Sequence, residues 1–171
     1  MNIFLIGYRC SGKTKIGKSI AGILNWPFVD TDYKVVEEEG MSISKIVDKK
    51  GWDFFRKKET AILKKICNHD NQIVATGGGI VLNKENRANM KKSGKIIWLK
   101  ANFSTVKKRM LLDCKTKDFR PALTSKKVDE EIKEILLLRK PYYKKTMDFS
   151  IDTDNLDIHG VCIGVMTNLA L

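Results

Sequence analysis

Eight consecutive residues, Gly7-Tyr8-Arg9-Cys10-Ser11-Gly12-Lys13-Thr14, fit the spacing G-x-x-x-x-G-K-[ST]. An apolar run, Asn2 to Ile6, precedes them, and the segment Thr14 to Asn25 that follows has apolar residues at helical spacing. Strand, glycine-bearing loop and helix in that order confine the chain to few folds. Gly7 and Gly12 let backbone N–H groups wrap phosphate oxygens, and the helix N-terminus adds a favourable dipole. Lys13 is then placed for the β- and γ-phosphates, and the Thr14 hydroxyl for Mg²⁺. The motif predicts that a nucleotide is held. It leaves open whether the phosphate is transferred, hydrolysed or sensed.

The rest of the chain repeats the alternation. Short apolar runs at Pro27–Asp30, Gln72–Ala75, Lys95–Ala101 and Phe149–Asp152 read as further strands. The spans 43–50, 54–67, 104–111, 129–140 and 156–171 read as helices, with Ser104 as an N-cap and Ser93-Gly94 as a helix stop. The span 129–140 starts acidic and ends basic, as a helix dipole prefers. Five short strands separated by helices predict an α/β fold, a five-stranded parallel sheet in a three-layer α/β/α arrangement. With no linker or repeat, residues 1–171 read as one domain. The least regular stretch is Asp113 to Lys127, and a loop of that length in a compact domain is commonly functional.

Composition removes several function classes. The four cysteines are scattered, without a Cys-x-x-Cys pair, and only two histidines accompany them, which argues against a zinc site. No apolar run approaches the roughly 20 residues needed to cross a bilayer, and "MNIFLIGY" reads as a first strand rather than a leader. Cytoplasmic location and no membrane partner are expected. The net charge of +12 invites a nucleic-acid partner, but the lysines spread along helices without interleaved aromatics. A nucleotide-dependent RNA-binding module is therefore the weaker reading, and no nucleic-acid partner is expected.

Ligands of parallel sheets bind at the carboxyl ends of strands, and chemistry-bearing residues gather there. Asp30 and Asp32, in "FVDTD", can divide two tasks: one supports a metal through water, the other accepts a hydroxyl proton. A helix N-cap at Thr31 or Asp32 is the plain alternative. Gly77, Gly78 and Gly79 suit a close backbone approach to a ligand. Arg56 and Glu59, at i and i+3, either form an ordinary surface pair or orient a guanidinium fork toward a carboxylate. Arg120 lies in the irregular loop and Arg139 near the end of a long helix.

"GYRCSGKT", "DTD", "FRKKE", "TGGG", "RPAL" and "RKPYY", in this order, resemble shikimate kinase, a small P-loop kinase of the nucleoside-monophosphate-kinase type. The resemblance covers nearly the whole chain. It implies ATP and Mg²⁺ as cofactors, shikimate as acceptor at its 3-hydroxyl, a mobile lid near 113–127 and a monomer. It implies that Gly7 to Thr14, with Arg9, Cys10 and Ser11 inside, cradles ATP, and that Thr14 and Asp30 serve the metal. By the same resemblance Asp32 is the base and Lys13 and Arg120 act on the transferred phosphoryl group. Arg56, Gly77, Gly78, Gly79 and Arg139 hold shikimate, Glu59 buttresses Arg56, and Arg109 stacks on adenine. Trp52, Val47 and Ala122 stand where the family usually has glutamate, phenylalanine and leucine. Another small-molecule kinase of this fold, for gluconate or a nucleoside monophosphate, is the alternative.

Overall fold

The computed structural model describes residues 1–113 and 121–170. Five strands form one sheet: β1 (Asn2–Ile6), β2 (Phe28–Asp30), β3 (Ile73–Ala75), β4 (Gly94–Lys100) and β5 (Phe149–Asp152). Their spatial order is β2-β3-β1-β4-β5, and every pairing is parallel. The helices are α1 (Lys13–Leu24), α2 (Thr31–Glu39), α3 (Ile43–Cys67), α4 (Lys84–Ser93), α5 (Phe103–Leu112), α6 (Val128–Thr146) and α7 (Ile158–Leu169). A 3₁₀ turn, Ile80–Leu82, follows the glycine run. The expected α/β architecture is what forms.

Strand periodicity sorts the core into two faces. Phe4, Ile6, Val74, Ile96 and Trp98 point one way, into a cluster shared with Ile46, Phe55, Leu63 and Met90. Their neighbours Ile3, Leu5, Ile73, Ile97 and Leu99 point the other way, against Ile16 and Ile20 of α1 and Val161 and Val165 of α7. The inner strands β1, β3 and β4 thus bury both faces, which is why these runs are continuously apolar rather than alternating. A smaller cluster joins Tyr8 to Val106, Ile132 and Ile135 beneath α5 and α6.

Three local expectations need correction. The cap of α5 is Asn102, whose side chain accepts from Thr105 N at 2.9 Å, not Ser104. Asn102 is itself fixed by Asp154, which accepts its backbone N–H. The long helix α6 runs past Lys140, through Pro141, to Thr146. The cap at the second strand's end is neither Thr31 nor Asp32 but Asp30. The two helical spans around Gly51 do form, continuous except for that residue, whose φ of 79° and ψ of 167° break the helix and re-aim the turn carrying Trp52, Phe55 and Arg56. Among the described residues no helix is long and apolar enough to cross a membrane. Residues 114–120 of the expected lid, Cys114 and Arg120 among them, lie outside the described residues.

Candidate active site

The nucleotide-motif loop leaves β1 and enters α1 through Gly12, which has φ 99° and offers no side-chain cap. No acidic side chain occupies the first turn of α1, so its N-terminal N–H groups are open to an anion. At Gly7 a Cβ would lie 2.6 Å from Leu99 O, so the loop passes too close to β4 for any side chain. Lys13 is buried, and its ammonium donates to Gly7 O at 2.8 Å, Tyr8 O at 2.7 Å and Ser11 Oγ at 3.3 Å. The lysine thus braces the loop it belongs to.

Thr14, one residue into the helix, donates its hydroxyl to Asp30 Oδ2 at 3.0 Å. The other Asp30 oxygen accepts from Asp32 N at 3.1 Å and Tyr33 N at 3.4 Å and so caps α2. Asp30 therefore combines the cap and a hard-oxygen position beside the loop. Thr14 and Asp30 offer two oxygen ligands of the kind Mg²⁺ takes. Among the described residues no group of three or more His, Cys, Asp or Glu could hold a metal, so any cation here must draw on water and phosphate oxygens as well.

Asp32 and Glu59 face each other across the glycine run. Asp32 Oδ1 and Glu59 Oε1 are buried without a hydrogen-bond partner. Burial pushes the Asp32 carboxyl up to about 7, helped by the negative charges of Glu59 and Asp30. Burial likewise raises Glu59, against the lowering effect of Arg56. A carboxyl poised near neutrality with an unused oxygen is suited to accept a proton. The segment beneath is pinned by Thr31, a buried residue whose Oγ1 accepts from Gly77 N at 2.9 Å.

Two arginines complete the opposite end. Arg56 donates from Nη1 to Glu59 Oε2 at 2.7 Å, and its guanidinium lies 5.3 Å and 5.1 Å from the Trp52 and Phe55 ring centroids. Glu59 is fully buried, so the pair is not an ordinary solvated surface pair. Arg139 is 5% exposed, its Nε has no partner, and no carboxylate pairs with it within 4.0 Å among the described residues. Tyr143 lies beside it and donates to Gly78 O at 2.6 Å, its phenol pushed up to about 12 by burial. The glycines give room to these side chains. A Cβ on Gly79 would fall 2.6 Å from Arg56 Cζ, one on Gly77 2.5 Å from Asp32 Oδ1, and one on Gly78 3.3 Å from Arg139 Nη1.

The residues expected to hold the acceptor, Asp32, Arg56, Gly77, Gly78, Gly79 and Arg139, line one cleft with Lys13, Thr14 and Asp30; Gly7, Cys10, Ser11, Gly12 and Arg109 do not line it. Arg9 also lines it, donating to Pro121 O at 3.2 Å. Arg109 reaches the same loop from α5, donating to Cys10 O at 3.3 Å, Thr153 Oγ1 at 3.0 Å and Thr153 O at 2.7 Å. Tyr143 and Glu131 are site-shaping residues that the sequence pattern did not single out, and Thr31, read there only as a possible cap, is a third. Their partners lie 65, 7 to 8 and 46 residues away, beyond any local spacing rule.

A parallel sheet with this loop after β1, a carboxylate at the end of β2 and a basic cleft defines a small P-loop kinase. The shikimate kinase family model matches residues 9–169. A shikimate kinase of Caldanaerobacter subterraneus subsp. tengcongensis is 39% identical over 160 residues, covering 94% of this chain and 91% of the relative. The structure of shikimate kinase from Acinetobacter baumannii in complex with shikimate superposes with a TM-score of 0.92 at 26% identity, covering 99% and 92% of the two chains. Shikimate kinase from Aquifex aeolicus gives 0.83 at 33% identity, covering 99% and 96%. The chain belongs to the shikimate kinase family.

Proposed function

We propose that this enzyme transfers the γ-phosphoryl group of ATP to the 3-hydroxyl of shikimate, giving shikimate 3-phosphate and ADP. One observation carries the acceptor assignment. The buried Arg139, with no carboxylate partner among the described residues, and the braced Arg56 stand against adjacent glycines, with the unpartnered Asp32 oxygen at the other end of the same run. A carboxylate bearing hydroxyls on a compact ring fits this polarity: the arginine forks take the acid, and Asp32 takes a hydroxyl.

The placement of the described residues supports the following roles. The loop Gly7 to Thr14 and the N-terminus of α1 hold the nucleotide phosphates, and Lys13 exchanges neutral carbonyl partners for charged phosphate oxygens, which bind it more strongly. Thr14 and Asp30 hold Mg²⁺, which supplies charge neutralisation on the phosphates when bound. Asp32 lines the cleft, where its carboxylate orients the hydroxyl and accepts the proton as the oxygen–phosphorus bond forms. The adenine stacks on Arg109, and Arg120 covers the transferred group. No covalent enzyme intermediate is needed, because positioning and electrostatics supply the acceleration. A cytoplasmic monomer is the matching cellular form.

A coupled ADP-release assay with shikimate and Mg-ATP tests the reading, with gluconate as a control acceptor. Turnover dependent on shikimate is expected. Folded protein that releases ADP equally with gluconate, or not at all, would overturn it.

A further inference from the structure

The first turn of α6 carries Asp129, Glu130 and Glu131, an acidic run that a helix N-terminus favours wherever it points. Asp129 pairs with Lys107 at the surface and Glu130 is exposed, but Glu131 turns inward and is 4% exposed. A carboxylate buried that far is costly unless its lone pairs are occupied. Here they are. Oε2 accepts from Leu123 N at 2.8 Å, Thr124 N at 2.9 Å and Thr124 Oγ1 at 3.3 Å. Oε1 faces Arg9 Nη1 at 3.8 Å, and Arg9 in turn donates through Nη2 to Pro121 O at 3.2 Å.

These hydrogen bonds and the longer ion-pair contact close a ring. One carboxylate on α6 ties the backbone of residues 121–124 to an arginine of the nucleotide loop, and that arginine returns to the same segment. Arg9, Pro121 and Leu123 line the cleft that holds Asp32 and Arg139. Glu131 does not line it.

We propose that Glu131 is a positioning residue for the phosphoryl transfer: it fixes Arg9 and residues 121–124 as one wall of the acceptor cleft and sets how the acceptor fits, without touching it. The inference rests on the functional reading above for its kinetic consequence, though not for the ring itself.

The two arms of the carboxylate separate by substitution. Glu131→Gln keeps an oxygen for the Leu123 and Thr124 amides but turns an N–H donor toward Arg9. Glu131→Ala removes both arms, and Arg9→Met removes the far partner. Wild-type turnover with shikimate is measured first, then KM and kcat for each variant, MgADP affinity by calorimetry, thermal melting, and amide exchange at Leu123 and Thr124. In Glu131→Gln the KM for shikimate is expected to rise about tenfold with the melting temperature little changed. Glu131→Ala should lose more, while MgADP affinity stays within about threefold. Arg9→Met should behave like Glu131→Gln, and the double variant should be no worse than either, because coupled partners are not additive.

Glu131 variants with KM and kcat within twofold of wild type would overturn the proposal. So would additive losses in the double variant, or a loss in Glu131→Ala that follows the unfolded fraction while Glu131→Gln is kinetically normal. Absent wild-type turnover would overturn the functional reading alone. Amide exchange then decides the ring: Arg9→Met must speed exchange at Leu123 and Thr124 when Glu131 is present and add nothing in Glu131→Ala. Unchanged protection overturns it.

Discussion

Asp32 Oδ1 and Glu59 Oε1 converge on the space where a side chain of Gly77 would begin, and neither oxygen has a hydrogen-bond partner. Two buried carboxylates sharing a glycine-sized space explain why Asp32 is raised to about 7 from an ordinary 3.8. The folded protein keeps a proton on Asp32 that the unfolded chain releases. This contribution to stability is complete below the unfolded value and is lost as pH rises through the folded one, at up to about 1.4 kcal/mol per pH unit. Asp32→Asn removes the charge and keeps the shape. Its melting temperature is expected to exceed that of the ligand-free wild type by about 5 °C or more at pH 8, with a smaller difference at pH 5. Turnover should fall at least about 100-fold. In the wild type, kcat/KM should rise with pH through a limb near 7. Near-normal turnover in Asp32→Asn, or a flat limb, would remove Asp32 as the base.

Arg139 is a buried cation whose planar fork Lys cannot reproduce. Arg139→Lys is therefore expected to raise the KM for shikimate by about tenfold and Arg139→Ala by more. Nucleotide affinity should hold, and neither variant should lose much stability, since among the described residues Arg139 has no carboxylate ion-pair partner to abandon. An equal loss of shikimate and nucleotide binding, read by calorimetry with each ligand alone, would contradict the clamp.

At Gly79 the backbone, with φ −96°, tolerates any residue, so a substitution there acts only through space. The added methyl of Gly79→Ala meets the far end of the Arg56 side chain, which can swing aside at little cost in folding. The swing breaks the 2.7 Å pairing with Glu59. A melting temperature within about 3 °C of wild type and a tenfold or greater rise in KM for shikimate are expected; an unchanged KM would show that Arg56 need not be held there.

How much of this was legible in the sequence divides by the range of the interaction. The strands were readable because Ile3–Ile6 and Ile96–Leu99 are buried on both faces and so apolar throughout. The nucleotide loop was readable because its chemistry needs fixed types at fixed spacing. The glycine run was readable as a place of close approach, yet the groups that approach Gly77 and Gly79 most closely are the site's own carboxylates and guanidinium. Glu131 looked like one of three charges complementing a helix dipole; only the fold shows that it is the inward one. Asn102 displaced Ser104 as a cap because Asp154, on a distant loop, holds the Asn102 backbone.

Asp30 divides its oxygens between the α2 cap and Thr14, so its two tasks separate by substitution. Asparagine can still accept from Asp32 N and Tyr33 N, whereas alanine cannot. Asp30→Asn should fold normally and shift the Mg²⁺ concentration for half-maximal turnover upward about tenfold. Asp30→Ala should add about 1 kcal/mol of lost stability. If Asp30→Asn has an unchanged Mg²⁺ requirement, Asp30 is a cap alone.

Cys10 sits within the nucleotide loop at φ 60°, half-buried, with its carbonyl bonded to Arg109. Burial pushes the Cys67 and Cys162 thiols up and makes them slow to react. An alkyl group on Cys10 would intrude on the concave loop that receives phosphate. Brief treatment with iodoacetamide is therefore expected to abolish most turnover, and saturating Mg-ATP to protect. Peptide mapping should place the label on Cys10, and Cys10→Ser should keep activity and resist the reagent. Inactivation that ATP does not slow, or that persists in Cys10→Ser, would assign the effect to another cysteine and leave Cys10 a filler of the loop.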